Sequence, residues 1–82
     1  VRLAPEIFVT HLALGRALVA AGDQALGLFE LESAAHLGPS SPDVFFALAR
    51  TYTAAGRTED ARRANARFLE LDRLRRSAEA SP

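Results

Sequence analysis

A chain of 82 residues supports one small domain, and a domain of that size buries only ~60–65% of the surface its unfolded chain exposes. It contains no Cys, and ten Arg balance ten Asp plus Glu. Disulfides and thiolate metal sites are thereby excluded, and net charge gives no pull toward nucleic acid or a membrane surface.

The charge is unevenly spread. Residues 1–43 hold two Arg against five acids, whereas residues 44–82 hold eight Arg against five acids. Every base is Arg, which a GC-rich coding bias explains as readily as a need for guanidinium chemistry. The longest apolar stretch, Ile7 to Ala21, is interrupted by His11 and Arg16 and has no charged leader. It is too short for a membrane span and lacks a signal-peptide pattern, so no membrane partner is expected.

Abundant Ala, Leu, Arg and Glu with scattered β-branched residues predict helix throughout. The first helix runs from Glu6 to Ala21 after Pro5, and Gly22 supplies the left-handed exit. Asp23 is placed to cap a second helix that reaches Leu37. The break "GPSSP" at 38–42 follows, with Ser41 as the cap and Pro42 as the first residue of a third helix ending at Gly56. Thr58 is the expected cap of the fourth, which has Glu59 and Asp60 in its first turn and continues past Leu74 toward Ala78. No segment alternates with period two, so the fold class is all-α.

"AAG" recurs at Ala20–Gly22 and Ala54–Gly56, a spacing of 34 residues. The same shift superposes Ala13, Leu14, Arg16 and Leu37 on Ala47, Leu48, Arg50 and Leu71, each copy reading helix, Gly turn, helix. In this the sequence resembles the tetratricopeptide-repeat (TPR) family. The motif places are held by His11, Leu14-Gly15, Leu18, Gly27, Leu31, Ala34 and Pro39, then by Phe45, Leu48-Ala49, Tyr52, Ala61, Asn65, Phe68 and Arg73.

The resemblance implies antiparallel helix-turn-helix repeats stacked as a short right-handed α-solenoid of about four helices. Residues 8–41 and 42–75 would be the repeats, 1–7 the end of a preceding one and 76–82 a tail. Leu3 and Pro5 lie 34 residues before Leu37 and Pro39, and the chain opens on Val. Both features are expected of a piece of a longer array. Asn65, Phe68 and Arg73 depart from the pattern and, with the charged "DRLRR" at 72–76, imply the C-terminal end of that array.

The resemblance also implies a non-catalytic module that binds a peptide or protein on the concave face of its first helices. Carried over by register, the binding residues are Val9, Leu12, Arg16, Val19 and Ala20, then Asp43, Phe46, Arg50, Thr53, Ala54 and Arg57. Leu12 and Phe46 are the expected anchors. Arg16 and Arg50 match in the repeat and suit a carboxylate ligand. Leu12 and Arg16 stand where the chaperone-tail-binding subclass has Lys and Asn, so that activity is not expected. The alternative is a structural or oligomerisation segment with no groove ligand, favoured by the apolar first helix, through which the chain could form a homo-oligomer.

Catalytic motifs, P-loops and metal-ligand spacings are missing around His11 and His36, so no enzyme, cofactor or metal is expected. Glu30 with Glu32, and Glu59 with Asp60, read as solvated carboxylates. The basic "RLRR" at 73–76 has no aromatic neighbours for base stacking and reads as a solvated helix end.

Overall fold

In the computed structural model, which describes residues 5–80, the described residues form four α-helices and no strand: α1 (Pro5–Ala20), α2 (Gln24–Leu37), α3 (Pro42–Ala54) and α4 (Thr58–Ala80). No helix among them is long and apolar enough to cross a membrane. The reading of Leu3 as part of an earlier unit lies outside the described residues. Pro5, paired with Pro39 in that reading, is the first residue of α1.

Two turns make the architecture, and they are built alike. After α1, Gly22 N–H donates to Val19 O and Asp23 N–H to Leu18 O; after α3, Gly56 N–H donates to Thr53 O and Arg57 N–H to Tyr52 O. This is the 5→2 and 6→1 pairing of a Schellman motif, and it requires a left-handed residue at its centre. Gly22 (φ 96°) and Gly56 (φ 77°) are the positive-φ residues found. The same shift of 34 residues that relates the two sequences relates these hydrogen bonds.

Each turn folds a helix back on its predecessor, so α1 packs along α2 and α3 along α4, while α2 and α3 form a narrower seam and α1 only touches α3. The smallest extent, 19 Å, is two helix layers thick. In the first hairpin the helices nearly touch backbones. A Cβ on Gly15 would stand 2.8 Å from Leu31 Cγ and 3.1 Å from Gly27 O; one on Gly27 would stand 2.4 Å from Val19 Cγ2. The second hairpin has Ala49 and Ala61 at the equivalent places, both buried. At the seam Leu31 and Val44 are fully buried, and the core continues through Leu28, Ala34, Leu48 and Tyr52.

The ends of the helices differ from expectation in three places. Helix α3 stops at Ala54 rather than Gly56, because the Schellman pairing consumes the next residues. Thr58 lies inside α4 rather than capping it; Arg57 O instead accepts the first bond, from Ala61 N–H. Ser41 flanks α3 without a side-chain cap bond, leaving Pro42 as the start signal, whereas Asp23 does cap α2, accepting from Leu26 N–H at 3.2 Å.

Candidate functional site

Helices α1 and α3 lie in the same layer with little direct contact, and the space between them is a groove of about 510 Å³. Arg16, Val19 and Ala20 of α1 form one wall, Phe46, Arg50 and Ala54 of α3 the other, and Leu31, Ala47 and Thr51 the floor. The floor offers no free polar group, since the Thr51 hydroxyl donates to Ala47 O at 2.8 Å. An apolar trough with a guanidinium on each wall results.

Those two guanidiniums differ from most of the others. Nine Arg fall among the described residues. Arg57, Arg62, Arg63, Arg67, Arg75 and Arg76 each pair with an Asp or Glu one turn away. Arg16 and Arg50 pair with no carboxylate among the described residues, because one turn away on their own helices stand only Leu12, Ala13, Val19 and Ala20, or Phe46, Ala47, Thr53 and Ala54. Arg50 lies over the Phe46 ring, 5.7 Å from its centroid, and Phe46 meets the Phe68 ring of α4 at 5.3 Å and 49°. Phe68, the residue out of pattern at the sequence level, thus backs the ring on which Arg50 rests.

Of the residues expected to line the binding face, the groove gathers Arg16, Val19, Phe46 and Arg50, with Ala20 and Ala54. Val9 and Asp43, equivalent in the repeat, are exposed and lie outside it, nearer the starts of their helices. Leu12 is not an anchor: it packs against the core. Thr53 lines a shallower depression beyond Phe46 and Arg50, bordered by Ala61, Arg62 and Asn65 of α4, and its hydroxyl donates to Ala49 O. Arg57 is turned to the opposite side, its guanidinium 4.8 Å above the Tyr52 ring and paired with Asp60 at 2.9 Å. The floor residues Leu31, Ala47 and Thr51 were missed; the apolar ladder Leu28, Leu31, Ala34 on α2 was the signal for the first.

The carboxylates read as solvated are in part engaged. Glu30 accepts from His11 Nδ1–H at 2.5 Å, and Glu32 accepts from the Tyr52 hydroxyl. Both are half-buried. Burial first, then the hydrogen bond to Glu32 and its charge, push the Tyr52 phenol above the ordinary tyrosine range. His36 is exposed on α2, and among the described residues no three His, Asp or Glu gather as metal ligands would.

Compared with protein-family models, curated proteins and solved structures, the chain gives no significant match.

Proposed function

We propose that this chain is a non-catalytic protein-interaction module of the tetratricopeptide-repeat kind, whose repeats 8–41 and 42–75 stack so that the groove between α1 and α3 takes a peptide segment of a partner. The observation that carries this reading is the pair Arg16 and Arg50, unneutralised on opposite walls of an apolar trough. A desolvated guanidinium selects a carboxylate, and hydrogen bonds to charged groups are worth ~1.5–3 kcal/mol each. The ligand is therefore a peptide in which an Asp, Glu or terminal carboxylate neighbours a medium-sized apolar side chain. The repeat in the turn hydrogen bonds supports the repeat assignment independently of residue identity.

The test is selection of octapeptides from a random library on the chain, followed by fluorescence anisotropy titration of the selected sequences. Acidic residues beside Leu or Phe should be enriched, and Arg16→Ala with Arg50→Ala should weaken binding at least ~10-fold, the equivalent of one charged hydrogen bond. Selection of peptides indifferent to both substitutions, or of none, overturns the reading.

A further inference from the structure

The first hairpin carries a second surface, on the side turned away from α3. Ile7, His11, Leu14 and Leu18 recur at the spacing of one helix face on α1, as do Leu26, Glu30 and Leu37 on α2. The bond from His11 to Glu30, 2.5 Å long, ties the two rows side by side. Ile7 is 41%, Leu14 44% and Leu26 52% exposed.

The internal repeat says what kind of surface this is. Thr10, Leu14 and Ala17 stand in register with Val44, Leu48 and Thr51 of α3, which are 0%, 4% and 5% exposed where α3 meets the first hairpin. The same helix face that is sealed in the second hairpin lies open in the first.

Charge decides what can cover it. The two rows contain only His11 and Glu30 as ionisable groups, and these satisfy each other. Two copies of the face can therefore meet about a two-fold axis without bringing like charges together or stranding a buried one. A head-to-tail contact with α4 of another copy lacks this property. In the places where α2 offers Leu28 and Leu31 to α3, α4 has Arg62 and Asn65, and the Arg62 side chain is 71% exposed and paired only with Glu59. Covering it with Leu14 would bury a charge against hydrocarbon.

We infer that the α1–α2 face of Ile7, Leu14, Leu18 and Leu26 is the contact surface of a symmetric dimer of this chain. Arg16 projects from the other side of α1, toward α3, so both grooves stay open in the dimer.

Sedimentation of the chain across a concentration series tests this. A monomer–dimer equilibrium is expected. Leu14→Arg, which sets two guanidiniums against each other at the axis, should weaken it at least ~30-fold, the loss that marks an interface hot spot. Leu26→Arg, from the other helix, should do the same should the first variant not fold, and far-ultraviolet circular dichroism identifies which variants keep their helices. Leu69→Arg, on the exposed side of α4, should leave the dimer intact. A monomer at every concentration, open-ended oligomers, dissociation by Leu69→Arg, or a dimer indifferent to Leu14→Arg and Leu26→Arg each overturns the inference.

Discussion

Titrating the chain upward from roughly pH 9 isolates a single group, Tyr52. The sequence holds one Tyr, no Cys and no Lys, so no other side chain changes charge between ~pH 9 and ~pH 12. In the fold Tyr52 is 8% exposed and donates its hydroxyl to Glu32, so ionising it would bury a phenolate beside a carboxylate. Burial and that carboxylate raise the folded pKa above the unfolded value of ~10. With the folded value raised, the stabilisation is complete below ~pH 10 and is lost as pH climbs through the interval up to the folded pKa, where only the unfolded chain has released the proton. The slope is about 1.4 kcal/mol per pH unit, so an excursion of ~1.5 units above pH 10 removes about 2 kcal/mol. Urea denaturation at a series of pH values, with phenolate absorbance followed in the folded chain, measures both quantities. Tyr52→Phe should be less stable than wild type at neutral pH by about 1–2 kcal/mol, the donor to Glu32 being gone, yet should show no such decline above pH 10. A folded chain whose phenol ionises in step with free tyrosine, or a Tyr52→Phe variant that declines as steeply as wild type, refutes the reasoning.

Two further outcomes follow from the packing and the placement of Arg57. Gly27→Ala gains about 1 kcal/mol of helix propensity but drives a Cβ to 2.4 Å from Val19 Cγ2 and 3.1 Å from Gly15 O. Val19 is β-branched and cannot easily turn aside, so overpacking wins; a net loss of about 1–2 kcal/mol should lower the thermal midpoint by ~4–16 °C, and a rise would contradict the contact. Arg57→Ala should leave affinity for groove-selected peptides unchanged while Arg50→Ala lowers it several-fold, because Arg57 lies over Tyr52 away from the groove. Equal losses from both would mean that the peptide lies elsewhere.

Much of the fold was legible because it depends on residues that act locally. Gly22 and Gly56 mark the two reversals, Pro42 a helix start and Asp23 a cap, and each is a property of a few neighbouring residues. The candidate site was legible only in half. Register placed Arg16 and Arg50 on one face, and the lack of an acid one turn away from either could be read directly. What register cannot supply is where along a helix a groove begins. Val9 and Asp43 lie beyond it, and Leu12, one turn before Arg16, falls into the core because α2 covers that flank. Arg57 was misplaced for another reason: its direction is set by the ring of Tyr52 and by Asp60, a choice between partners made only after α3 and α4 have met. The partners of Glu30 and Glu32 lie 19 and 20 residues away on other helices, so spacing along the chain made both acids look free.

The two three-residue turns have a consequence for how the chain finds its structure. Each hairpin can close over residues near in sequence, at small loop entropy, and a topology of that kind folds quickly. The seam of Leu31 and Val44 is then the step that makes two hairpins into one cooperative body. Amides along α3 are covered by both neighbours and should exchange only on global opening, while the last turns of α4, exposed from Arg73 to Ala80, should exchange through fraying alone. Folding order and protection from solvent are in this way written into two glycines and one pair of aliphatic side chains.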